Sequence, residues 1–184
     1  MSNFTALLSL ALDFNELVHV KRSWFSGLTK LRFLTMSYNQ IAIIDPGSFE
    51  DLISLNYLNL ENNLLKLIKN IEEKLMTNFI TLMTLALDCN KLVHVKRSWF
   101  SGLTKLRLLT MSNNEVVIID PGSFVDLVSL RHLNLENNLL KLVPAKAFRK
   151  LRNLNILNMT ENPLCCLNKD AFSFVKDPPK LYLS

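Results

Sequence analysis

The sequence predicts an α/β solenoid, a curved stack of short units with a parallel sheet of about seven strands on its concave face and irregular or 3-10 turns on its convex side. Two observations carry this expectation. Residues 82–156 repeat residues 7–81 nearly word for word at an offset of 75: Leu17–Arg32 (LVHVKRSWFSGLTKLR) returns unchanged as Leu92–Arg107, and Asn59–Leu67 as Asn134–Leu142. Each copy is itself built of smaller units that restart at Leu7, Leu31, Leu55, Leu82, Leu106, Leu130 and Leu154, spaced 24, 24, 27, 24, 24 and 24 residues apart.

In the first unit Leu7, Leu10 and Leu12 alternate as in a short strand with one buried face, and Asn15, Leu17, Val20, Phe25 and Leu28 follow. The second matches it position by position with Leu31, Leu34, Met36, Asn39, Ile41, Ile44, Phe49 and Leu52. The third departs after Asn63, with a three-residue insertion within Ile68–Lys74 followed by Met76 and Phe79, which predicts a longer or more helical convex loop. The fourth, fifth and sixth restore the pattern and carry Phe100, Phe124 and Phe148. With the seventh, the array spans residues 1–167 and a tail covers 162–184. A single unit is too small to bury its own leucines, so neighbours must stack and share one core. The ninth position is asparagine in every unit: Asn15, Asn39, Asn63, Asn90, Asn114, Asn138 and Asn162. An amide offers donors and an acceptor together, which suits a buried turn whose backbone groups would otherwise be orphaned.

These L-x-x-L-x-L-x-x-N units match the signature of leucine-rich repeats, and the chain from Met1 to about Leu167 resembles that family. Its 24-residue units with phenylalanine at position 19 resemble those of animal extracellular receptors, Toll-like and hormone receptors among them. The resemblance implies a non-catalytic module that recognises a protein or peptide ligand, within a receptor or secreted recognition protein, outside the cell or at its surface. A cytoplasmic scaffolding array is the alternative. Cys165-Cys166, after Asn162-Pro163-Leu164, resembles the opening of the disulfide cap of extracellular members, incomplete here because no further cysteine follows. Asn3-Phe4-Thr5 and Asn158-Met159-Thr160 make Asn3 and Asn158 candidate glycosylation sites.

Composition narrows the remaining classes. At 184 residues, 49% hydrophobic, the chain can bury one long core. No apolar run has the length of a membrane span. FTALLSLAL near the start aligns with Phe79–Leu87, FITLMTLAL, and no basic stretch precedes it, so it reads as a repeat strand rather than a secretory signal. His19 and His94 are copies of one position and His132 stands alone, so no metal site is expected; nor is a cofactor or an enzymatic centre, since no nucleophile elbow or phosphate loop is present.

The non-core strand positions should form a concave face roughly 30 Å across, the size of a protein footprint. The residues there that a partner would touch are Phe14, Arg32, Phe33, Tyr38, Tyr57, Glu61, Asp88, Arg107, Arg131, His132 and Glu136. Arg32, Arg107 and Arg131 share the second repeat position; Asp13, Glu61, Asp88 and Glu136 share the seventh. One rim should therefore be basic and the other acidic. The net charge of +5 adds convex clusters at His19–Arg22, His94–Arg97 and Lys146, Arg149, Lys150 and Arg152, which favour a sulfated glycan as an alternative ligand. These clusters lack stacking aromatics, so nucleic acid is not expected as a partner. Met1–Phe4 aligns with Met76–Phe79, inside a unit, and no polar cap precedes Leu7, Leu10 and Leu12. Self-association through that open end is expected.

Overall fold

The computed structural model describes residues 4–66, 79–144, 147–165 and 179–183. The third-unit insertion within Ile68–Lys74, Met76, Lys146, Asn3 and Cys166 lie outside the described residues.

Alternating leucines make each unit contribute one three-residue strand: β1 (Ser9–Ala11), β3 (Phe33–Thr35), β5 (Tyr57–Asn59), β6 (Thr84–Ala86), β8 (Leu108–Thr110), β10 (His132–Asn134) and β11 (Ile156–Asn158). They pair in parallel in that order. An eighth strand, β12 (Lys180–Tyr182), comes from the tail and pairs with β11, with Leu181 opposite Leu157. Leu10, Leu34, Leu58, Leu85, Leu109, Leu133, Leu157 and Leu181 thus stand in one register column, of which the six from Leu34 to Leu157 are fully buried. The residues on either side of each leucine point to the concave face, because strand side chains alternate.

The convex side carries more order than the sequence foretells. His19–Val20 (β2) pairs in parallel with Ile43–Ile44 (β4), and the duplicated segments His94–Val95 (β7) and Ile118–Ile119 (β9) do the same. Arg22–Phe25 forms a 3-10 turn. Beneath these turns the phenylalanines stack. Ring centroids lie 5.7 Å apart for Phe25–Phe49, 5.6 Å for Phe49–Phe79, 5.7 Å for Phe100–Phe124 and 5.9 Å for Phe124–Phe148. Phe79 therefore extends the first run of the column into the 27-residue unit. Trp99 is buried edge-on to Phe100, whereas its copy Trp24 is 37% exposed.

The asparagines join each turn to the unit before it. Asn114 Nδ2 donates to the carbonyls of Met111 (3.1 Å) and Ser112 (3.1 Å) in its own turn and of Leu87 (3.0 Å) in the preceding one. Its Oδ1 accepts from the Leu92 amide at 3.0 Å. Asn39, Asn63, Asn90, Asn138 and Asn162 repeat this arrangement. Asn15, in the first unit, is exposed and among the described residues bonds only to Leu12 and Asp13 of its own turn. Leu7, Leu10 and Leu12 are likewise only partly buried at this end, where β1 is the edge strand.

Immediately before each asparagine the backbone takes a left-handed conformation, at Phe14, Tyr38, Asn62, Cys89, Asn113, Asn137 and Glu161, with φ between 48° and 56°. The turn needs this inversion to send the chain back under the sheet. Asparagine tolerates it, while phenylalanine, tyrosine, cysteine and glutamate each cost roughly 1 kcal/mol there.

Candidate functional site on the concave face

Two aromatic pairs stand on the first three units, one in the turns that follow the strands and one on the strands themselves. Phe14 and Tyr38, one unit apart at the left-handed position, stack with centroids 4.5 Å apart and planes 8° from parallel. Phe33 and Tyr57, directly paired residues of β3 and β5, lie 6.5 Å apart with tilted planes. Phe14 is 77% exposed, Tyr38 49% and Phe33 48%, and Tyr57 is half-buried. Parallel in-register pairing of identical units is what brings these rings together. In the second copy the same four places hold Cys89, Asn113, Leu108 and His132. The aromatic surface thus belongs to one half of a nearly verbatim duplication.

The remaining predicted face residues divide by environment. Arg32, Arg107, Arg131 and His132 are exposed, and the three arginines form no ion pair among the described residues. Glu61 accepts from Asn62 at 3.1 Å, and Glu136 accepts from the Asn158 amide at 3.0 Å. Asn158 itself lies half-buried on β11, a strand position rather than an exposed loop. Cys165 is exposed and its thiol donates to the Lys141 carbonyl at 3.3 Å. Cys89 is half-buried; burial first, and then the Glu61 and Asp88 carboxylates, push its thiol up. Among the described residues no group of three metal-ligating side chains gathers, and no helix is long and apolar enough to cross a membrane.

Asp13 and Asp88 are not free rim charges. Asp88 accepts from the Thr110 hydroxyl, the Ser112 amide (2.7 Å) and the Ser112 hydroxyl (2.5 Å), and Asp13 accepts likewise from Thr35 and from Ser37. Each aspartate therefore fastens its unit to the next. The signal was in the sequence: both units with aspartate at position seven are followed, 22 and 24 residues on, by threonine and serine.

Burial alone would raise the Asp13 carboxyl, but hydrogen bonds from the Ser37 and Thr35 side chains and the Ser37 amide outweigh it and hold the group below its ordinary value. A lowered folded pKa means that its contribution to stability is present above the unfolded value, about 3.9, and is lost as pH falls through the folded one. The stability difference between the parent chain and Asp13→Asn is expected to be constant through neutral pH and to shrink below about pH 4. Thermal melts at stepped pH read this directly; a difference that does not change on acidification contradicts the assignment.

The leucine-rich repeat family model matches residues 5–65 and 80–140. The chain belongs to the leucine-rich repeat family. No curated protein matches it. Among solved structures, TLR13 in its complex with single-stranded RNA aligns with a TM-score of 0.76 at 25% identity, over 97% of this chain. An internalin from Listeria monocytogenes aligns with a TM-score of 0.74 at 26% identity, over 98% of this chain. The repeat array spans 29% and 48% of those two chains respectively. Leucine-rich repeat domains are in general protein-interaction modules.

Proposed function

We propose that this leucine-rich repeat array is a non-catalytic recognition module, part of a receptor or secreted recognition protein, that binds a protein or peptide across the concave strands of its first three units. The observation that carries the reading is the confinement of Phe14, Phe33, Tyr38 and Tyr57 to one copy of the duplication. Exposed aromatics add nothing to solubility, and Phe14 and Tyr38 also occupy a backbone conformation that disfavours them. Aromatic rings beside arginine, here Arg32, supply much of the energy at interface hot spots. An extracellular or cell-surface setting belongs to the same reading.

The test uses peptides selected on the parent chain from a displayed library. The double variant Phe33→Ser/Tyr57→Ser is expected to lose their binding by roughly 1,000-fold while its circular dichroism is unchanged, since two hot-spot residues at about 2 kcal/mol each give that factor. If Lys96→Ser/Arg97→Ser on the convex side loses binding instead, the reading fails. A second reading, single-stranded nucleic acid on the same face, draws on the Phe14–Tyr38 stack, since base-stacking platforms are how such strands are held without sequence readout. TLR13, a structural neighbour, is itself described in complex with single-stranded RNA. Titration with an RNA oligomer, using Phe14→Ser as the control, separates the two.

A further inference from the structure

The two copies differ on the convex side at one charge that matters. In the first copy Arg22 reaches across to Glu50 of the next unit, with Nε–Oε1 at 2.9 Å, Nη2–Oε1 at 2.6 Å and Nη2–Oε2 at 2.8 Å. This bidentate pair closes over Gly47. In the second copy the arginine is retained as Arg97 and keeps its place over Gly122, but the carboxylate position is Val125. One unit further on, Arg149, Lys150 and Arg152 stand exposed. Together with Arg97 and Val125 they line one open groove of about 790 Å³, with no carboxylate among the described residues of its walls. Asp120 and Asp126, in the neighbouring depression, are already held by His94 at 2.7 Å and by the Gly102 amide at 3.0 Å.

We infer that this convex groove, built on Arg97, Arg149, Lys150 and Arg152, binds a sulfated glycosaminoglycan, one of whose sulfates takes the place that the Glu50 carboxylate fills in the first copy. A guanidinium beside the same glycine turn can fork onto a sulfate as Arg22 forks onto the Glu50 carboxylate. The three further cations extend the contact along a chain of regularly spaced anions, as a polyanion requires. Among the described residues of the groove's lining there is no aromatic ring, which favours a glycan over a nucleic-acid strand that would need its bases stacked. The site is separate from the concave face, so it stands or falls independently of the ligand bound there.

The test measures binding of a heparin oligosaccharide and its desulfated form to the full chain. The parent is expected to bind the sulfated form only, and more weakly as salt rises. Val125→Glu, which restores the residue found at this position in the first copy and so is compatible with the fold, is expected to lose affinity by at least about tenfold through internal capture of Arg97. Arg22→Ser, which removes an arginine already neutralised by Glu50, is expected to leave affinity within about twofold, because exposed charges beyond a Debye length are screened. Equal loss in both variants means that binding follows net charge alone and overturns the assignment. So does undiminished binding by Val125→Glu, or tighter binding of an RNA oligomer that the same substitution abolishes.

Discussion

Replacing Phe124 by alanine is expected to destabilise the array by about 3–5 kcal/mol, the range for truncating a fully buried aromatic. Phe124 lies between Phe100 and Phe148, at 5.7 and 5.9 Å, with its plane only 2° from that of Phe148. Both neighbours are themselves buried, so the vacated volume is walled by rigid rings and cannot collapse easily. Phe25 lies in the less buried first unit, where Leu7, Leu10 and Leu12 are only partly covered, and it stacks on Phe49. Phe25→Ala should therefore cost less. Urea unfolding of the two variants checks the order, and the reverse order would mean that the column does not carry load through the middle of the stack.

Asn114→Ala follows, at about 3 kcal/mol, the upper part of the range for stranding buried polar groups. The substitution leaves the Leu92 amide without its acceptor and takes the amide donor from Leu87, Met111 and Ser112. Asn114 is buried, so the groups it leaves lie away from bulk water. The control has to respect the backbone. Asn113 is exposed, yet its φ of 55° would charge alanine roughly 1 kcal/mol, so glycine is the neutral choice there. Asn113→Gly keeps the backbone unstrained and removes two peripheral hydrogen bonds, from Asn137 at 2.8 Å and to Ser112 at 3.2 Å, so it is expected to cost no more than about 1 kcal/mol. Equal losses in Asn114→Ala and Asn113→Gly would refute the register.

The strands were legible because one pattern recurs at Leu7, Leu31, Leu55, Leu82, Leu106, Leu130 and Leu154, and a period repeated that often overrides any weak local propensity. β12 was not, since Leu181 and Leu183 give a single alternation with no asparagine after it. The left-handed turn position was hidden by its variety: Phe14, Tyr38, Cys89 and Glu161 are residues that no turn rule selects, and only the stack of neighbouring turns holds them there. The acidic column misled for a related reason. Asp13 and Glu61 share a repeat position, but the shorter carboxylate engages Thr35 and Ser37 of the next unit, whereas Glu61 accepts from its neighbour Asn62. The outward direction of Phe33 and Tyr57 could be read directly, because side-chain direction follows from strand alternation, whereas Phe14 and Tyr38 lie past the ends of β1 and β3 at the left-handed position.

Hydrogen exchange of the array with and without a selected peptide tests the recognition proposal most directly. Protection on binding is expected in the turns and strands that carry Phe14, Phe33, Tyr38 and Tyr57, with little change at β8, β10 and β11. Protection confined to the second copy, or to the convex segments around Arg97 and Arg149, would contradict it.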